Sequence, residues 1–164
     1  MKYYLRENLR FLLPDGVLYD ENGEVVYRYN NVTVLFPQVD LYKKNQFIGS
    51  IKRNMTWFLK SYDVYYNNAL IDTISEQFKL FRSELTLGRD WKIKGDIFSW
   101  HYEIYDEDNI LIARVDQELF RLHRRFYIDV IDEDREEIIM LLIIAINQFD
   151  RDKSTQVALS SSRG

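Results

Sequence analysis

The chain has 164 residues, 15% of them aromatic and none of them cysteine, and a formal net charge of −4. That length suits one domain with a substantial core. The missing thiols exclude disulfides, thiolate metal sites and cysteine nucleophiles, and the mild negative charge argues against a protein that coats nucleic acid.

The opening, Met1 to Asn8, has neither a long apolar core nor a small-residue cleavage site, so no signal peptide is expected. A hairpin pattern then recurs. Val17 to Tyr27 reads as two short strands around Asn22-Gly23, a pair that favours a turn with both central residues at positive φ. Similar units run from Val39 to Ile51, from Tyr62 to Ile74 and from Tyr102 to Ala113. Their turn asparagines fall at positions 22, 45, 68 and 109. Repeats of this size point to an architecture built from one recurring unit. Between them, Trp91-Lys92-Ile93-Lys94-Gly95 alternates apolar and polar residues, as does Phe126-Tyr127-Ile128-Asp129-Val130. Alternation marks strands with one dry face. Gly88-Arg89-Asp90 reads as a turn. Ten to twelve strands are expected, enough for the sheet to curl and close, which would also remove its edges.

The last element differs. Ile138 to Ile146 is an unbroken apolar run behind the acidic stretch Asp132 to Glu137. The acids supply helix caps, Asp132 or Asp134, with capping-box spacing between Asp134 and Glu137. They also suit the positive end of a helix dipole. A helix over about 134–149 with no polar face in its apolar part must be surrounded, and the run is too short to span a bilayer. The strands are therefore expected to wrap this helix in a single domain over 1–149, with 150–164 a polar, disordered tail.

Several stretches together resemble the LURP-one-related family, a branch of the tubby-like superfamily. Tyr3-Tyr4-Leu5-Arg6-Glu7-Asn8 and Tyr19-Asp20-Glu21-Asn22-Gly23 resemble its bacterial members. Trp91-x-Ile93-x-Gly95-Asp96 with Tyr102-x-Ile104 resembles the family's middle segment. Ile128-Asp129, the acidic run and the apolar helix resemble its end. The resemblance implies a mostly β fold, a closed antiparallel barrel of about twelve strands around a C-terminal helix. Relatives in the superfamily include tubby, which binds phosphoinositides, and phospholipid scramblases. No functional residue is carried over.

The densest basic cluster is Arg121-Leu122-His123-Arg124-Arg125, expected in a turn between strands. Arginine forks fit phosphate oxygens, so Arg121, Arg124 and Arg125 are the candidate site for an anion or lipid headgroup; the alternative is a solvated turn. Lys52, Arg53 and Lys60 around Trp57 and Phe58 form a second candidate membrane patch, or else a strand end with core aromatics. Asp132, Glu133 and Asp134 read as helix caps before cation ligands, and Asp106 to Asn109 as a turn before a metal site. His101 and His123 fit no catalytic spacing, and His101 beside Trp100 reads as a wall residue. Nucleophile-elbow, phosphate-loop and zinc motifs are absent. The expectation is a non-enzymatic, cytoplasmic binding or adaptor module, free or peripheral to a membrane, with no metal or cofactor. Its partner would be an anionic membrane surface or a protein. The alternatives are a ligand-free interaction scaffold showing exposed Trp57 or Trp100, a scramblase-like role, or an enzyme whose site gathers a histidine and two carboxylates in a deep pocket.

Overall fold

The computed structural model describes residues 1–8, 15–33, 37–55, 60–79, 82–86, 90–97, 99–120 and 123–161. The chain is mostly β. In order come β1 (Lys2–Asn8), β2 (Asp15–Asp20), β3 (Val25–Thr33), β4 (Gln38–Lys43), β5 (Gln46–Met55), β6 (Lys60–Tyr66), β7 (Ala69–Lys79), β8 (Arg82–Thr86), β9 (Lys92–Asp96), β10 (His101–Tyr105), β11 (Leu111–Phe120), β12 (His123–Val130) and the helix α1 (Glu136–Ser161). Antiparallel pairings join the strands into one twelve-stranded sheet in the order β8-β7-β6-β5-β4-β3-β2-β1-β12-β11-β10-β9. Alternation is realised as expected: Phe126, Ile128 and Val130 are buried, and Trp91 is buried between exposed neighbours.

Four hairpin turns gather at one end of the sheet, at the positions of the turn asparagines. They use two geometries. Lys44 and Asn45 lie at φ 47° and 69°, and Asn67 and Asn68 at 49° and 66°, the two left-handed residues of a tight two-residue loop. The Asn22-Gly23 turn departs from that expectation, since only Gly23 is left-handed, at φ 79°. Here the Gly23 N–H donates to the Asp20 carbonyl at 3.0 Å, and Asp20 Oδ1 accepts from the N–H groups of Asn22 and Glu24 at 3.0 and 2.8 Å. The carboxylate organises the loop, so a single left-handed residue closes it. Asp106 does the same, accepting from Asp108 and Ile110, with Asn109 left-handed at 58°.

Each of these hairpins carries a register shift beside its turn, at Leu18/Tyr19, Leu41/Tyr42, Val64/Tyr65 and Ile104/Tyr105. Bulges add right-handed twist, which bends a long sheet around whatever fills its concave side. That filling is α1. From Ile139 to Ile146 every helix residue is fully buried, with Asn147 and Gln148 nearly so. Inward residues of the sheet, among them Leu5, Leu18, Leu41, Ile51, Val64 and Ile104, belong to the same apolar cluster. Gly49 permits the closest approach: a Cβ there would lie 2.1 Å from the Tyr65 carbonyl oxygen and 3.0 Å from Leu141.

Two expectations are corrected. The sheet is not closed: among the described residues no ladder joins β8 to β9. The β9 edge is only five residues long, and Lys92 and Lys94 stand exposed along it, a charge pattern that discourages further strand pairing. Gly95, at φ 112° and with no room for a Cβ beside the His101 carbonyl, bends the backbone near its end. The helix also does not stop near 149. It continues to Ser161, through most of the stretch whose polar composition predicts disorder. Once a helix is nucleated by a buried segment, each added residue gains a backbone bond at little extra cost, so polarity alone does not end it. Of the turn expected at Gly88-Arg89-Asp90, residues 88 and 89 lie outside the described residues.

Candidate functional site

The turn end of the sheet is also where α1 begins, and a network of polar side chains joins the two there. Asp132 Oδ1 accepts the Arg135 N–H at 3.2 Å, so Asp132 is the cap. The expected pairing of Asp134 with Glu137 is not formed. Glu137 instead accepts from the Tyr66 hydroxyl at 2.8 Å and faces Lys43 Nζ at 3.4 Å. Strand β6 reaches Glu137 more directly than a neighbouring backbone does.

Glu136 is the centre of the arrangement. It is the last acidic residue on the core side, and only 4% of its surface is exposed. Its Oε1 accepts from Tyr3 Oη at 2.8 Å and from Tyr27 Oη, and lies 3.2 Å from Lys43 Nζ. Strands β1, β3 and β4 thus converge on one carboxylate. Burial pushes the Glu136 pKa up, but the bonds from Tyr27, Tyr3 and Lys43 outweigh it and hold the group below its ordinary value. Burial, and then the bond to Glu136, push the Tyr3 and Tyr27 hydroxyls far above theirs, so both remain donors.

Arg135 ties the helix start to the β10–β11 turn. Its guanidinium meets Asp106 Oδ2 at 2.8 Å and Asp132 Oδ2 at 2.5 Å, and lies over the Trp91 ring at 5.3 Å. The bond from Arg135, with backbone bonds from Ile110 and Asp108, holds the buried Asp106 carboxyl below its usual value against the cost of burial. A cleft of about 280 Å3 opens between these groups, lined by Lys43, Tyr66, Asp134, Glu136, Glu137 and Ile138 among others. Chemically this is a charge clamp: ionised carboxylates, protonated tyrosines and paired cations.

A second hollow, about 310 Å3, lies on the outer face of β9, β10 and β11. It brings His101, Asp116 and Glu103 together, a histidine with two carboxylates. His101 Nδ1 is 3.0 Å from Asp116 Oδ1, yet both side chains are more than half exposed, at 57% and 63%. Glu103 is committed to Tyr105 at 2.6 Å and Arg114 at 2.9 Å. The histidine and the two carboxylates thus meet in an open surface groove, not in the deep pocket expected for that alternative.

Two of the candidate arginines, Arg124 and Arg125, lie at the opposite end of the sheet. Arg121 lies outside the described residues. Arg124 and Arg125 open β12, opposite Leu119 and Glu118 of β11, and their side chains are not described. Trp57 and Phe58 also lie outside the described residues. Lys52 lies over the Tyr65 ring at 4.8 Å on the outer face. Trp100 is not the exposed patch that a scaffold would show: it is 2% exposed, with its ring 4.0 Å from that of Phe126. Among the described residues no group of three histidines or carboxylates could hold a metal ion, and no described helix is long and apolar enough to cross a membrane. Sequence reasoning overlooked Glu136 with Tyr3, Tyr27 and Lys43. One signal was available: a glutamate at the head of a fully apolar helix must be desolvated, and must then find donors.

The family model for LURP-one-related proteins matches residues 1–147. The chain belongs to the LURP-one-related family. The matched region ends one residue before Gln148, the last helix position whose side chain is described as buried, so this LURP-one-related chain carries the family over its sheet and the buried part of its helix. No curated protein and no solved structure matches the chain.

Proposed function

We propose that this LURP-one-related protein is a non-enzymatic binding module that engages anionic headgroups through Arg121, Arg124 and Arg125. One observation carries the reading. The β11–β12 ladder pairs Phe120 with His123, so Arg124 and Arg125 lie near the start of β12, at the end of the sheet away from the start of α1, and Arg121 is close to them in sequence. That end is opposite the acidic start of α1, so a contact there avoids repulsion by Glu133, Asp134 and Glu137. Arginine forks supply paired donors for phosphate oxygens. The tubby resemblance supports the same ligand class. A binding role also suits a fold whose interior is occupied by its own helix, which leaves recognition to the surface.

The test is co-sedimentation with neutral, phosphatidylserine and phosphoinositide vesicles at physiological salt. The wild type is expected to bind anionic vesicles selectively. The R121E/R124E/R125E variant, with an unchanged circular dichroism spectrum, is expected to lose that binding. A wild type that sediments with no vesicle, or a folded triple variant that binds as well as the wild type, overturns the reading.

A further inference from the structure

Large apolar side chains left in water are distributed unevenly over this surface. Among the described residues they are Met1, Val32, Phe47, Leu70, Ile110 and Ile131, and all but Val32 lie at the end where α1 begins. Single exposed apolar residues are ordinary, whereas several on one rim are not. Phe47 and Leu70 sit just past the β4–β5 and β6–β7 turns, Ile110 just before β11, and Ile131 just after β12. Leu70 and Ile110 are the most exposed, at 56% and 60%. These positions flank the cleft at the head of the helix, with Lys43 and Tyr66 on the Phe47–Leu70 side and Arg135 on the Ile110–Ile131 side.

Exposed carboxylates outnumber exposed cations around them. Glu21, Glu24, Glu107, Asp108, Glu133 and Asp134 are all exposed on this end. The Met1 ammonium lies 3.3 Å from Glu133 and Arg135 lies 3.7 Å from Glu107, which leaves Glu21, Glu24, Asp108 and Asp134 as the exposed carboxylates here that face no cation among the described residues. Lys43 faces Glu136 and Glu137, Arg135 is held by Asp106 and Asp132, and Lys92 donates to Asn109 at 2.9 Å. Lys2 and Lys44 remain exposed. A surface that combines apolar studs with unneutralised carboxylates repels an anionic membrane. It complements a segment carrying lysine or arginine on one side and apolar side chains on the other.

We infer that the helix-start rim is a docking face for a basic, amphipathic segment of a partner protein. The apolar studs supply contact area, and the carboxylates steer the segment in and fix its orientation. This is the end of the sheet opposite Arg124 and Arg125, so the inference stands whether or not those arginines bind headgroups. If both hold, the two ends join an anionic surface to a basic partner.

The probe is a labelled 14-residue peptide of lysine and leucine at amphipathic helical spacing, titrated against the full chain by fluorescence anisotropy. A second peptide has serine in place of leucine. The lysine–leucine peptide is expected to bind at least tenfold more tightly than the lysine–serine one. L70S/I110S and, separately, D108K/D134K are each expected to weaken it at least tenfold with an unchanged melting temperature. D63K/D116K, the same charge change on the outer wall, is expected to weaken it less than threefold. Equal losses from the rim and wall charge variants would reveal general attraction to an acidic protein and overturn the inference. So would indifference to L70S/I110S. If that variant instead abolishes vesicle binding and leaves the peptide bound, the studs enter lipid and the inference fails.

Discussion

Tyr3 Oη donates to Glu136 Oε1 at 2.8 Å, which joins the first strand to the head of the helix across 133 positions of sequence. Tyr27 donates to the same oxygen. Glu136→Ala leaves two buried hydroxyls without their carboxylate acceptor, while Lys43 keeps Glu137. At about 1–3 kcal/mol for each stranded polar group, the loss should reach about 2–5 kcal/mol in urea denaturation. Glu136→Gln keeps an acceptor and should cost less. Equal stability of the alanine variant and the wild type would show that the clamp contributes nothing.

The same groups set the pH range of stability. Glu136 and Asp106 have folded pKa values below their ordinary 4.5 and 3.8. A lowered carboxyl stabilises the fold fully above its unfolded pKa and loses that contribution as pH falls through the folded value. Acid melting should therefore set in as pH drops below about 4.5, and Glu136→Gln should flatten part of that fall. Tyr3 and Tyr27 work in the opposite sense. Their pKa values are raised from 10.0, so stability is complete below pH 10.0 and declines above it. Tyr27→Phe should lessen the alkaline decline, and melting temperature against pH reads both limbs.

Gly49→Ala tests how closely β5 lies against its neighbours. The new methyl would sit 2.1 Å from a backbone oxygen that belongs to the paired strand β6 and cannot swing away. Overpacking of this kind costs about 1–3 kcal/mol. Glycine to alanine in an open strand should stabilise instead, so an unchanged or higher denaturation midpoint would contradict the placement.

Leu142 is fully buried at the centre of the wrapped segment. Leu142→Ala should cost about 2–5 kcal/mol. Leu142→Asp should abolish soluble folding, because the sheet surrounds the side chain and offers a charge no route to water. A soluble aspartate variant with a native circular dichroism spectrum would contradict the wrapped helix.

Local signals were legible and distant ones were not. The apolar run from Ile138 to Ile146 announced a buried helix because no side of it could face water. The asparagines at 45 and 68 announced turns, and both adopt the left-handed backbone that few residues tolerate. The Asn22-Gly23 turn had the right position but the wrong assumed geometry, since Asp20, which organises the loop, lies before the residues that drew attention. The Glu136 clamp was hidden because its donors lie 133 and 109 positions away and become neighbours only when the sheet curls. The open seam depends on whether two short edge strands meet, and alternation within a strand carries no information about that.

Strand β1 pairs with β2 on one side and with β12 on the other, and the helix that fills the sheet follows every strand. A ribosome delivers these parts in the least convenient order. The first strand emerges with half its backbone partners unmade, and the apolar lining waits for a filling synthesised last. Such a nascent chain would spend most of its synthesis as an unfilled shell, and would need shelter until residues near 148 have cleared the exit tunnel.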